Sequence, residues 1–288
     1  MTKKHIISSG TTFHMGHGDV LENIEIGFAA LAQCGFRGID FTTMMLKNVT
    51  EDREGIYLKI AELAKKYGLV FAQCHLPFVP QKQGIPDGDA FYQEVCQALD
   101  AAKGLGIRYA VMHPNSASIP LEGYNKTAEY DNVMTYFAPF LEYANKIGVD
   151  MVVENMRSVQ KGTPSHRYCS SPDELCDIAD ACGIGVCWDT GHANITGLCQ
   201  SEAIGYVGQR LKVIHLNDNA GDDDVHYVPF MGTVDWNDVM TGLKSIGYEG
   251  AVNFEVACWK VPAEARLDIG KYVYKTGEHF RMLLQDDK

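Results

Sequence analysis

LEYANKIGVDMVVEN, residues 141–155, changes character at Gly148. The half before the glycine is amphipathic, and the half after it is a short apolar run that ends on Glu154 and Asn155. A helix closed by a glycine, which tolerates the left-handed conformation needed there, and feeding a buried strand accounts for both halves. The same succession recurs in AALAQCGFRGIDF (29–41), AELAKKYGLVFAQCH (61–75), ALDAAKGLGIRYAVMH (98–113), DIADACGIGVCWD (177–189) and GLKSIGYEGAVNFEV (242–256). Its glycines, Gly35, Gly68, Gly106, Gly148, Gly183 and Gly247, lie 33, 38, 42, 35 and 64 residues apart. The last interval holds two units, because LKVIHLN (211–217) reads as another strand after a short helix near residues 201–207.

With a first strand at residues 4–8, the pattern predicts strands near 4–8, 38–42, 69–75, 109–113, 150–155, 184–189, 211–217 and 250–256. Eight apolar strands alternating with helices, with no Pro/Ser linker between halves, predict an α/β fold: a single (β/α)8 TIM barrel spanning residues 1–288 as one catalytic domain. An open doubly wound sheet would normally carry a G-x-G-x-x-G turn after its first strand. Ser8-Ser9-Gly10-Thr11-Thr12 stands there instead.

Composition narrows the function classes. The chain has 288 residues, 46% hydrophobic and 22% charged, which excludes a disordered, collagenous or coiled-coil protein. No apolar stretch reaches the 18 residues of a membrane span, and MTKKHIISSG has no apolar segment behind its lysines, so a cytoplasmic chain with no membrane partner is expected. Lys and Arg number 25 against 37 Asp and Glu, a net charge of −12 with no basic run, so no nucleic-acid partner is expected. The nine cysteines form no C-x-x-C pair and read as free thiols rather than as a disulfide framework or a thiolate zinc site. A small molecule remains as the expected partner, with homo-oligomerisation open.

The carboxyl ends of barrel strands form the active face. Six consecutive predicted strands end there in a potential metal ligand: His75, His113, Glu154, Asp189, His215 and Glu255. The two-residue period of a strand turns Val152 with Glu154, Cys187 with Asp189, Val213 with His215 and Asn253 with Glu255 into the barrel. Val153, Trp188, Ile214 and Phe254 then face the helices, which makes Trp188 a packing residue. One strand-end histidine or glutamate is an ordinary rim group, but three carboxylates and several imidazoles around one mouth would cost several kcal/mol per unpaired charge. The basic residues near these ends, Arg157 and Lys260, are too few to neutralise them.

A divalent cation resolves the charge. Glu154, Asp189, His215 and Glu255 form an oxygen-rich donor set that suits Mn2+, Mg2+, Co2+ or Fe2+ better than structural Zn2+, with zinc as a further option. His192 follows Asp189 by three residues, and Asp224 and His226 lie in GDDDVHYVPFMGTVDW (221–236). The segment Thr11–Gly18, TTFHMGHG, reads either as a closing loop or as a surface turn.

HLPF, VMHP, VVENM, WDTGHANITG, HLNDN with D-x-H and a following G-x-V-D-W, and NFEV, in this order and spacing, resemble the xylose-isomerase-like TIM barrels. That group includes sugar and sugar-phosphate isomerases and epimerases and type-IV apurinic endonucleases. The resemblance implies that Glu154, Asp189, His215 and Glu255 form the single metal site of ketose 3-epimerases, with Glu154 and Glu255 also serving as base and acid. It implies a substrate-contacting role for His192. The chain departs from those epimerases in lacking an arginine shortly after His215: none follows before Arg266. The expectation is a metal-dependent isomerase or epimerase of a sugar, sugar phosphate or polyol, acting by proton transfer through an enediolate, with His75, His113, His192, Asp224 and His226 contacting substrate. Two alternatives stay open. His75, His113, Glu154, Asp189, His192, His215, Asp224, His226 and Glu255 also match the nine-residue pattern of a trinuclear zinc endonuclease. The same enediolate logic would serve a lyase or dehydratase acting on a polyol.

Overall fold

The computed structural model describes residues 5–10, 19–78, 88–159, 162 and 164–285. Thr11–Gly18 lies outside them. In the seed stretch, the helix Lys126–Ile147 ends at Gly148, whose φ of 76° is left-handed, and the strand Asp150–Glu154 follows. Gly35, Gly68, Gly106, Gly183 and Gly247 likewise have φ between 62° and 109°. The glycines therefore mark the helix-to-strand junctions, as their spacing predicts.

Eight parallel strands result: β1 (Ile7–Ser9), β2 (Gly38–Thr42), β3 (Val70–His75), β4 (Tyr109–Met112), β5 (Asp150–Glu154), β6 (Gly185–Asp189), β7 (Leu211–His215) and β8 (Val252–Phe254). They pair in chain order from β1 to β7, with β8 beside β1. The remaining seam, between β7 and β8, is closed by a parallel bridge between Leu216 and Phe254: Leu216 N–H donates to Asn253 O at 2.9 Å, and Glu255 N–H to Leu216 O at 3.1 Å. The fold is a (β/α)8 TIM barrel. His113 and Glu255 fall just past β4 and β8, on the loops rather than inside the strands.

Strand alternation divides the core in two. Val153, Trp188, Ile214 and Phe254 join the large cluster between sheet and helices, whereas Val111, Val152, Cys187 and Val213 form a separate buried cluster inside the barrel. Trp188 is fully buried and its indole N–H donates to Gln200 Oε1 at 3.1 Å, a packing role. The other side of the interior is polar. Asp40 Oδ2 accepts from Asn253 Nδ2 at 2.8 Å and from Gln73 Nε2 at 3.2 Å, and Ser8 Oγ donates to Asn253 Oδ1 at 2.7 Å. These interior residues make a floor: Gln73, Val111, Val152, Cys187, Val213 and Asn253 each lie two residues before a strand-end candidate.

One feature has no counterpart in the sequence pattern. Ser118–Pro120 and Ser165–Arg167 pair as a two-stranded antiparallel ribbon, joining the loops after β4 and β5. No helix of the described residues is long and apolar enough to cross a membrane.

Candidate metal centre and substrate pocket

Glu154, Asp189 and His215 are buried, and Glu255 is partly exposed. One ligand atom from each of these four lies within 4.8 Å of the others. His215 Nδ1 is the focus, 2.8 Å from Glu255 Oε2 and 3.3 Å from Glu154 Oε1. Burial opposes a charge on His215, but Cys187, Glu255 and Glu154 together raise its pKa well above the usual histidine range.

Neighbouring groups aim each donor. The Asp189 side chain caps the short helix Thr190–Thr196, accepting from His192 N–H at 2.7 Å, while its other oxygen accepts from Asn217 Nδ2 at 2.6 Å. Burial pushes the Asp189 carboxyl up to about 6. Asn155 bridges the ends of β5 and β6, its amide donating to Asp189 O at 3.0 Å and its Oδ1 accepting from Asp189 N–H at 2.6 Å. Close packing makes this corner possible: a Cβ on Gly191 would stand 1.9 Å from Asn217 Oδ1. Glu154 Oε2, fully buried, is 3.2 Å from His113 Nε2 and 3.4 Å from His75 Nε2 but accepts no aligned hydrogen bond. A buried carboxylate oxygen left unsatisfied is costly, and a cation bound beside it removes that cost. The donor set therefore fits a divalent metal, and its oxygen-rich character fits a hard or borderline ion.

The five residues expected to meet substrate line one cavity of about 330 Å3 together with Glu154 and Glu255. Backbone carbonyls fix three of their tautomers. His75 Nδ1–H donates to Leu76 O at 2.7 Å, His192 Nδ1–H to Asn155 O at 2.8 Å, and His226 Nδ1–H to Glu255 O at 2.8 Å. Each Nε2 is thereby turned away from the backbone. Asp224 sits between two of them, with Oδ2 3.2 Å from His192 Nε2 and Oδ1 3.2 Å from His226 Nε2. Burial works against charge on His192, yet Asp189 and Asp224 push it up to about 9; Glu255 and Asp224 likewise overcome burial to push His226 to about 10. His113 meets the opposite balance: burial lowers it to about 4.

The acidic run therefore divides. Asp222 and Asp223 are exposed, whereas Asp224 turns inward. Lys260 is exposed and lies outside the cavity lining, while Arg157 enters it and pairs with Asp224 at 3.0 Å. Sequence reasoning missed Arg167, which also lines the cavity, and Gln73, whose amide nitrogen lies 2.7 Å from His215 Nε2. The strand period could have found Gln73, two residues before His75; no local pattern marks Arg167.

A family model described as "Xylose isomerase-like TIM barrel" matches residues 28–271. An uncharacterized protein of Methanocaldococcus jannaschii is 30% identical over 166 residues, covering 55% of this chain and 54% of that protein; the chain thus spans about half its length. Fructoselysine 3-epimerase of Escherichia coli O157:H7 is 23% identical over 286 residues, covering 92% of this chain and 95% of the enzyme. The crystal structure of D-psicose 3-epimerase with D-tagatose from Clostridium cellulolyticum H10 superposes with a TM-score of 0.73 at 16% identity, covering 96% of this chain and 99% of that one.

Proposed function

Because the chain belongs to the xylose isomerase-like TIM-barrel family, we propose that it is a divalent-metal-dependent carbohydrate isomerase or epimerase in which two glutamates move a proton off and onto a substrate carbon. The observation that carries the reading is the convergence of Glu154, Asp189, His215 and Glu255 within 4.8 Å at the edge of a closed-floored cavity. These four residues would hold the metal. When bound, such an ion polarises a carbonyl oxygen and acidifies the neighbouring C–H.

The residues of the chain do the rest. Glu255, reaching the cavity with a third of its side chain exposed, is held ionised: burial is outweighed by His215 and His226, and its carboxyl falls to about 2. It is the base that takes a proton from carbon. Glu154 comes from β5, on the other side of the mouth, and is likewise held ionised by His215 and His113 against the effect of burial. It delivers to the opposite face a proton it has first taken from water, while Glu255 releases its own to water, which inverts the centre and balances the protons. His192 and His226 orient hydroxyls, with Asp224 fixing both rings. Fructoselysine 3-epimerase among the relatives and D-psicose 3-epimerase among the structural neighbours support carbohydrate as the substrate class.

Metal analysis of protein purified without chelator, combined with incubation of free and phosphorylated ketoses in D2O, tests the reading. One Mn, Mg or Co per chain is expected, with deuterium entering the carbon next to the carbonyl. Glu255→Gln should keep most metal affinity yet turn over about 100-fold or more slowly. Neither exchange nor isomerisation across the panel would refute the mechanism. A second reading, multinuclear hydrolysis, draws on the separate grouping of His75, His113 and Glu154. Two or three zinc ions per chain would favour it.

A further inference from the structure

Arg167 ends the ribbon strand Ser165–Arg167 and is only 4% exposed, yet it lines the cavity that holds Glu154 and Glu255. Its surroundings hold it still. Its Nε donates to Ser116 O at 2.8 Å, its backbone N–H donates to Ser158 Oγ at 2.8 Å, and that hydroxyl lies 2.7 Å from Ser170 Oγ. Ser116 Oγ in turn donates to Tyr168 O at 2.8 Å. Among the described residues, no carboxylate oxygen lies within the 4.0 Å that defines an ion pair with its guanidinium. The neighbouring cation, Arg157, is engaged by Asp224.

Glu154 and Asp224 act on the guanidinium only from beyond ion-pair distance. Holding it out of water with no counter-charge in contact is costly, and a packing role would be served better by an apolar side chain of the same volume. The arrangement makes sense if the counter-charge arrives with the ligand. Nε is taken by the Ser116 carbonyl, which leaves the Nη edge of a rigid, planar fork for the two-point contact that suits carboxylate and phosphate oxygens. Burial, with Arg157 alongside, lowers Arg167 to about 10, so it stays charged at neutral pH.

We propose that Arg167 is an oxyanion receptor, and that the carbohydrate turned over here bears a carboxylate or phosphate group received by it. The inference rests on the carbohydrate reading of the pocket but concerns a different part of it from the metal ligands. It narrows the substrate class from carbohydrates in general to sugar acids or sugar phosphates.

Calorimetric titration with inorganic phosphate, and separately with acetate, tests it on the full chain, once stripped with EDTA and once reloaded with Mn2+. The stripped wild type is expected to bind at least one of the two, and the tighter probe identifies phosphate ester or carboxylate as the group. Arg167→Met should weaken that binding tenfold or more while leaving the Mn2+ stoichiometry unchanged. Arg167→Lys, which keeps the charge but loses the fork, should weaken it several-fold. No binding of either anion by stripped wild type overturns the proposal even if Arg167→Met fails to fold, and so does wild-type affinity in Arg167→Lys. The two readings fail separately: anion binding without metal-dependent exchange in D2O sinks the isomerase, and exchange without anion binding sinks the receptor.

Discussion

Asn217 shows how much of the candidate centre rests on residues that touch no metal. Its amide donates to Asp189 Oδ2 at 2.6 Å, while its own Oδ1 is buried without a partner. Removing a group that aims a ligand typically costs 10–100-fold in metal affinity. Asn217→Ala should therefore bind metal about 10–100-fold more weakly at unchanged stoichiometry, which calorimetry with Mn2+ will measure. Protonation supplies a second prediction. His192 and His226 have folded pKa values raised to about 9 and about 10 in the metal-free chain. A histidine raised in this way stabilises the fold fully below its ordinary pKa near 6.5, and the contribution disappears as pH climbs through the folded value. Thermal midpoints of EDTA-treated protein should fall between pH 6.5 and 10, and His192→Gln should flatten the decline; a flat wild-type profile would contradict the ion pairs around Asp224. The strand-end candidates were legible because a chemical type and a position coincide in each. Asn217 and Arg167 were not, because what defines them is a partner 28 or 51 residues away in the chain.

At the scale of elements, the sequence exposed those units whose local chemistry repeats. Helix, glycine and apolar run announce each junction, so all eight strands could be placed, although His5 and Ile6 precede β1 instead of belonging to it and residue 4 lies outside the described residues. The ribbon of Ser118–Pro120 and Ser165–Arg167 escaped notice, since three-residue strands carry too few alternations to show a period. The two-turn helix Thr190–Thr196 escaped too, although its cap is what ties fold to site. Asp189 both begins that helix and offers a ligand oxygen. The two duties can be separated by substitution. Asp189→Ala loses both, and the lost cap should cost about 1 kcal/mol of metal-free stability. Asp189→Asn keeps a capping oxygen, so denaturant melts in EDTA should lie closer to wild type, while metal retention falls in both variants. Equal destabilisation by the two would show that the cap contributes nothing.

For the whole molecule, charge sets the company it keeps. A net charge of −12 gives a polyanion no general attraction, and the arginines of the cavity lining, Arg157 and Arg167, are partly or wholly buried. Binding to abasic duplex DNA should be absent at physiological ionic strength, and no cleavage should follow. A binding constant falling steeply with salt, as displaced counterions require, would reverse that expectation. The barrel's interior carries a further implication. Val111, Val152, Cys187 and Val213 are at most 3% exposed and stop the bore beneath the ligands, and the cavity lined by Arg108, Asp150 and Lys212 at the opposite end lies beyond them. Among the described residues this plug closes one end of the bore and leaves the mouth as the doorway, so two sugars differing at one carbon would queue at one threshold, and the direction of traffic would be decided by which of them is drained away.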